Sequence, residues 1–322
     1  MNIELLIEHE GSLFSPPVEE GISWSTERKG SPGQLTFKIV QSSSGDDVEF
    51  AEGDHVRVKL GEKPIFYGFI FTLKRDKDNM ISVTAYDQLR YLKNKDTYVY
   101  ENKTASEVIK MIASDFNLQT GTIEDTKFKI PSRVETDTSL FDIIQNALDA
   151  TLENKKEMYV MYDDFGKITL KNIGNMKTDV LIDKETAENF DYSSSIDSNT
   201  YNKIKLTYDN KETGTREVYI AKHGQSMNRW GVLQYFESLD NVKDAQKRAD
   251  GYLKLYNQKT KSLSVKGAFG DLSVRAGSLI PVMLNLGDVK VQNYMVVEKC
   301  KHQFTNEMHL MDLTLRGGEF VA

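Results

Sequence analysis

The sequence predicts a mainly β protein in which two similar β-barrels flank a small α/β insert. Three observations lead there. Short segments alternating apolar and polar residues fill both ends of the chain. Between residues 93 and 190 the apolar spacing changes to three and four residues, the helical period. A glycine-led pattern then recurs: Gly53 is followed by Val56, Val58 and Leu60, and Gly277 by Ile280, Val282 and Leu284, at identical offsets. The expected organisation is residues 1–92 as a first barrel, 93–190 as the α/β insert, and 191–322 as a second barrel carrying a helix at about 240–258.

The elements follow in order. Residues 3–7 read as a strand, Trp24 lies in a second, and 35–40 alternate well after the turn cluster at 29–33. Residues 41–47 form a polar loop. Strands at 56–60, 66–73 and 81–86 come next, the last two joined through a turn at 76–79. Thr104 with Glu107 three residues on is a capping box, and Val108, Ile109, Ile112 and Phe116 share the face of the helix it opens. Asp137 or Thr138 is expected to cap a second helix, with Leu140, Ile143, Ile144, Ala147 and Leu148 inward. Residues 159–162 and 167–170 form a hairpin around Asp163, Asp164, Phe165 and Gly166. Strands at 201–208 and 216–221 follow. Ser226 to Gly231 reads as one helical turn capped by Ser226, with Gly231 as the stop.

Residues 272–318 hold the last meander, clearest where His309, Met311, Leu313 and Leu315 alternate with Leu310, Asp312 and Thr314. A three-stranded meander has open edges and half a core, so it needs a partner sheet in this chain or in another. The glycine offsets propose a counterpart, the segment 50–86. Two equivalent units per chain would let a trimer present a ring of six, able to meet a hexamer on one side and a trimer on the other.

The chain has 322 residues, 39% of them hydrophobic and 28% charged, with a net charge of −7. That balance argues against a broad electrostatic grip on nucleic acid. The single cysteine, Cys300, fits a reducing compartment and reads as a buried strand residue. The N-terminus lacks a basic segment followed by a long apolar one, and no stretch is apolar enough to span a bilayer, so no signal peptide and no membrane association are expected.

No catalytic constellation is visible. The histidines are His9, His55, His223, His302 and His309, and none has a second His or Cys at a recognisable metal spacing. Cys300 and His302 would share a strand face, but no second ligand pair accompanies them, so no metal and no cofactor are expected. Asp164-Phe165-Gly166 spells a kinase metal trio without the catalytic loop that should precede it, and reads as a tight turn. The acidic pairs Asp46-Asp47 and Asp163-Asp164 read as solvated loops. Trp230, Tyr235 and Phe236 are a candidate docking patch or carbohydrate-binding surface, with core packing as the alternative. No catalytic, cofactor-binding or metal residue is therefore assigned.

Several stretches carry a family resemblance: 31–37 (SPGQLTF), 52–56 (EGDHV), 66–71 (FYGFIF), 84–94 (TAYDQLRYLKN), 162–170 (YDDFGKITL), 196–202 (IDSNTYN) and 226–233. On these the chain resembles the XkdQ/YqbQ family of phage-like tail proteins, grouped with baseplate hub proteins of contractile tails and distantly similar to the N-terminal part of VgrG spike proteins. The resemblance covers essentially the whole chain. It implies two tube-type barrels with inserts, meeting across subunit boundaries in a homotrimer. It further implies a structural role: joining the hexameric tail tube protein to the trimeric central spike protein, beside other baseplate components. The family is sometimes labelled a hydrolase, but no motif in this sequence supports an enzyme, and no membrane and no direct nucleic-acid recognition are expected. The particle would be a phage, a prophage or a bacteriocin, assembled in the bacterial cytoplasm. A peptidoglycan hydrolase of the same baseplate is the alternative. A channel lined by this acidic chain is expected to repel DNA phosphates.

Overall fold

The structure, a computed structural model, describes residues 2–19, 21–40, 49–77, 80–197, 199–211, 213–239, 242, 245–285 and 290–317. The expected loop at 41–47, the acids Asp46 and Asp47, part of the 76–79 turn and the helix start at Asp240 lie outside these residues. The chain forms two compact units. Residues 1–191 with 263–315 make the first, and 192–262 with 316–322 the second.

The first unit begins with seven strands: β1 (Ile3–His9), β2 (Ser12–Phe14), β3 (Ile22–Glu27), β4 (Gln34–Val40), β5 (His55–Leu60), β6 (Lys63–Arg75) and β7 (Met80–Tyr86). Alternation does what it predicts here. Leu35, Phe37 and Ile39 of β4, Val56 and Val58 of β5, and Ile81, Val83 and Ala85 of β7 all point into one core with Ile7, Trp24 and Phe66. Pairing is antiparallel throughout, β1 with β5, β5 with β6, β6 with β7, β7 with β4 and β4 with β3.

The α/β insert has its own core. It comprises β8 (Lys95–Lys103), α1 (Ala105–Asp115), β9 (Thr120–Ile123), β10 (Ile130–Ser139), α2 (Leu140–Lys155), β11 (Tyr159–Asp163) and β12 (Ile168–Asn172). The capping box at Thr104 forms as predicted: Thr104 Oγ1 accepts from the Glu107 N–H, and the Glu107 carboxylate accepts from the Thr104 N–H. Both helices turn their predicted apolar faces inward, Val108, Ile109 and Ile112 against Leu140, Ile143 and Ile144. The cap of α2 differs from expectation. Ser139 Oγ accepts from the Asp142 N–H, while β10 runs on to Ser139 and Asp137 sits at φ +49, within the register shift between Glu135 and Thr138. Local composition offered three adjacent polar residues, and strand pairing chose the last.

Two strands carry the chain into and out of the second unit, β13 (Asn189–Ser195) and β17 (Thr260–Phe269). Between them lie β14 (Lys203–Asn210), β15 (Thr215–Lys222), α3 (Gly224–Trp230), β16 (Gln234–Leu239) and α4 (Ala245–Tyr256). β14 is central, antiparallel to β15 and parallel to β16, with α3 in the crossover. Ala245, Ala249 and Tyr252 of α4 pack on Ile204, Leu206 and Leu239. Gly231 ends α3, though at φ +76 and ψ −175 and so outside the left-handed helical conformation expected of the stop, and His223 is the cap: its ring accepts from the Ser226 N–H, and Ser226 is buried inside the helix.

The chain then returns to the first unit as β18 (Leu279–Asn285), β19 (Lys290–Phe304) and β20 (His309–Gly317). The glycine offsets have a structural counterpart. Gly53 and Gly277 lie at φ +97 and +95. The Gly53 N–H donates to Ile70 O at 2.8 Å, and the Gly277 N–H to Val297 O at 2.8 Å; in return the Ile70 N–H donates to Asp54 O and the Val297 N–H to Ser278 O, both at 2.9 Å. Strand order repeats too, β4-β7-β6-β5 beside β17-β20-β19-β18. The barrels themselves differ from expectation. Twelve strands form one continuous sheet in which the described pairings close no barrel, because β19 leaves β18 halfway along and pairs with β3, His302 opposite Trp24. The last meander thus finds a sheet partner in its own chain. Arg28 reinforces this seam with two bonds to Glu298, at 2.8 and 3.1 Å. Among the described residues, no helix is long and apolar enough to cross a membrane.

Candidate functional site

The most distinctive sequence stretches meet at one buried polar junction in the first unit. Asp87 follows β7 and is fully buried, with its carboxylate accepting from the Gly33 N–H at 2.8 Å and the Leu89 N–H at 3.0 Å. The second bond caps a 3-10 turn over Gln88–Lys93. A Cβ on Gly33 would crowd the Asp87 carboxylate that the Gly33 N–H holds. Gln88 Nε2 donates to the Asp163 carboxylate at 2.9 Å, and the Gln88 side chain also closes on both backbone groups of Gln119. Asp163 in turn accepts from the Gly166 N–H at 2.7 Å. Arg275 completes the set. It is half-buried, donates from Nη2 to Asp163 O at 2.9 Å, and lies 3.8 Å over the Tyr162 ring and 5.7 Å over Trp24.

Burial, and then the neighbouring Asp163, push the Asp87 carboxyl well above its ordinary range; the two N–H bonds and Arg275 pull it back only in part. Asp163 is raised as well, chiefly by burial. Burial lowers the Arg275 guanidinium, whose Nε finds no hydrogen-bond partner among the described residues. Asp163 is therefore no solvated loop residue, as its sequence neighbourhood suggested. Both carboxyl groups are spent on backbone and amide donors, which makes the cluster a fastening between the first strands, the insert and the last strands. Asp164, Phe165 and Gly166 do form the expected turn. The Asp164 N–H donates to Lys167 O, with Phe165 and Gly166 at φ +49 and +85.

The second unit is fastened alike. Asn202 is wholly buried; its side chain accepts from the Leu233 N–H at 2.9 Å and donates to Gly231 O at 2.7 Å. The stretches 196–202 and 226–233 are thereby tied to each other.

Cys300 and His302 do share a strand face. His302 Nε2 donates to Val274 O at 2.8 Å and lies 3.2 Å from Cys300 Sγ, so Nδ1 is left to accept from His309 Nε2 at 2.8 Å. Cysteine and second histidine thus sit on opposite nitrogens of one ring and cannot converge on one ion. No group of three ligating residues able to hold a metal occurs among the described residues. The His302 ring stacks on Trp24, and burial lowers it to about 3; burial pushes the Cys300 thiol up. The proposed aromatic patch divides. Tyr235 stacks on Tyr256 in the second unit's core, whereas Phe236, next in the strand, faces out at 56% exposure. Trp230 is half-buried.

One feature escaped sequence reasoning. Tyr67, Phe69 and Phe71 alternate along the outer face of β6 and are joined by His55 and Tyr91 in a band of rings with centroids 4.8–6.4 Å apart. Where the insert faces this band, a cavity of about 340 Å³ opens, closed on the far side by Phe116 and Asn117. Gly166 borders it, and a Cβ there would meet the Tyr67 ring at 2.7 Å. The alternation was legible in sequence, but the insert across from it was not.

A family model described as YQBQ-like matches residues 22–316. The phage-like element PBSX protein XkdQ of Bacillus subtilis (strain 168) is 32% identical over 310 residues, covering 92% of this chain and 91% of its own length. The 43 kDa tail protein of prophage MuSo2 from Shewanella oneidensis shares the fold, with a TM-score of 0.73 at 11% identity over 99% of this chain and 100% of that one. An Escherichia coli protein described as a type VI secretion component similar to the phage T4 tail proteins gp27 and gp5 gives a TM-score of 0.58 at 9% identity, covering 100% of this chain and 78% of that one.

Proposed function

The chain belongs to the YQBQ-like family, and from that premise we propose that it is the structural baseplate hub of a contractile phage tail or tail-like particle. In this reading three copies join the hexameric tail tube to the trimeric central spike, with other baseplate proteins around them. The observation that carries the reading is the internal repeat. One chain holds two meanders with the same strand order, the same positive-φ glycine entry and the same reciprocal hydrogen bonds. Three chains then supply six similar units, which is what a hexamer-to-trimer adaptor requires. Residues 1–92 and 191–322 are read as tube-type barrel domains, completed on assembly, with 93–190 as the outer insert. The chain is architectural and not an enzyme. Asp87, Gln88 and Asp163, which lie in the stretches of family likeness, are buried and spend their side chains on neighbouring groups, so the Asp87–Asp163 pair offers no free carboxylate to a peptidoglycan hydrolase.

The test is electron microscopy of particles bearing a tagged copy. Label at the junction of tube and spike, in threefold symmetry, is expected. Label along the shaft, or sixfold symmetry, would sink the reading.

A further inference from the structure

The aromatic cavity has a chemistry that the architectural role leaves unused. Its faces are rings: Tyr67, Phe69, Tyr91 and Phe116. Besides the amides of Gln88 and Gln119, four polar side chains line it, all uncharged or weakly basic: the His55 imidazole, the Tyr67 and Tyr91 hydroxyls and the Asn117 carboxamide. None of these four side chains has a hydrogen-bond partner among the described residues, whereas Gln88, which also borders the cavity, is fully engaged. No aspartate, glutamate, lysine or arginine lines it. A phosphate, nucleotide or carboxylate ligand would find no ion pair here. A purely apolar anchor would leave four hydrogen-bonding groups unmatched as it displaced their water.

We propose that this cavity binds one pyranose ring of a neutral saccharide. Such a ring offers C–H faces to stack on aromatic side chains and hydroxyls around its edge for phenol, imidazole and amide groups. The volume lies in the range of small-ligand sites. The walls are preformed. Asn117 is held at φ +54 just after the C-cap residue of α1, where the Leu118 N–H donates back to Ala113 O and the Asn117 N–H to Ser114 O. Tyr67 is fixed against Gly166, which has no Cβ to displace it. A site so placed would let the particle hold a neutral wall or capsule glycan. It stands independently of the hub role, and either reading survives failure of the other.

The experiment is saturation-transfer NMR with calorimetry on the full chain, using maltotriose, cellotriose and the trimer of N-acetylglucosamine as probes. At least one is expected to bind with a Kd on the order of 1 mM or tighter. Phe69→Ala should abolish that binding. Asn117→Gly keeps the left-handed backbone and its cap, so it should fold normally and weaken binding about 3- to 10-fold; Tyr91→Phe should act similarly. No saturable binding by any probe at roughly 10 mM would overturn the proposal. So would binding that survives Phe69→Ala. N-acetyltyrosine amide occupying the cavity more tightly than every sugar would also overturn it, marking the cavity as a seat for a protein side chain.

Discussion

At the scale of single residues the chain spends its unusual side chains on fastening. Asp87, Asp163 and Asn202 lie deep, Arg275 is half-buried, and each binds segments distant in sequence. His302 is the one whose chemistry can be read out by pH. It is sandwiched between Trp24 and Phe304 and faces His309, Arg275, Asp271 and Cys300. Burial first, then His309, lower it from 6.5 to about 3. The sign follows. Below pH 6.5 the unfolded chain takes up a proton that the native ring refuses, so stability falls as the solution is acidified. One such proton costs about 1.4 kcal/mol per pH unit. His309, lowered by burial and in contact with His302, adds to the slope. His302→Gln keeps a donor for Val274 O and an acceptor for His309. It should lower stability at neutral pH through the lost stacking, yet show a shallower loss between pH 6.5 and about 5. Urea unfolding across that window measures it. A slope equal to the parent's would mean that His302 is not the group being titrated.

Among elements, the two glycine-led entries test whether similar local geometry means similar cost. Gly53 and Gly277 have nearly the same φ and the same hydrogen bonds. Their surroundings differ: a Cβ on Gly53 meets nothing within 4 Å, while one on Gly277 would stand 2.6 Å from Val160 Cγ1. Gly53→Ala should therefore cost only backbone strain, about 1–2 kcal/mol. Gly277→Ala adds overpacking against the insert and should cost about 2–4 kcal/mol. Equal losses in denaturant midpoint would show that Val160 moves aside freely. The same pair shows what was legible. The offsets to Val56 and Ile280 could be read because strand alternation and turn glycines are local signals. The Gly33–Asp87–Asp163–Arg275 fastening could not, because no local period links residues whose bonds span 54, 75 and 112 positions. The caps of α2 and α3 were misplaced for a related reason. Asp137 and Thr138 are adequate capping residues, but Asp137 sits at positive φ in the bulge of β10 and Thr138 is paired within the strand, which runs on to Ser139; Ser226 is adequate too, but it is buried inside α3.

For the whole molecule, the sequence suggested three consecutive domains, while compactness gathers the first 191 residues with the last strands and sets residues 192–262 apart. This follows from where the cores are. The cluster around Ile204, Leu206 and Tyr252 draws its members from the second unit alone, and the clusters around Val56 and Ile109 draw none from it. The chain enters on β13 and leaves on β17, and these strands are bonded side by side. The Glu188 N–H donates to Lys266 O at 3.1 Å, Ser193 and Ser262 hydroxyls meet at 2.8 Å, and Thr260 Oγ1 donates to Ser195 O at 3.1 Å. Ser195 and Thr260 are therefore close enough to be joined by a two-residue hairpin turn. Replacing residues 196–259 with Asn-Gly should leave the first unit folded, since the excision removes one self-contained core and shortens a loop whose closure entropy grows only slowly with length. The shortened chain loses Trp230 and the second unit's tyrosines but should keep a fixed near-ultraviolet circular dichroism signal from the buried Trp24 and one cooperative unfolding transition. A molten product, with far-ultraviolet signal but no fixed aromatic signal, would show that the first unit's sheet needs the second unit to hold its register.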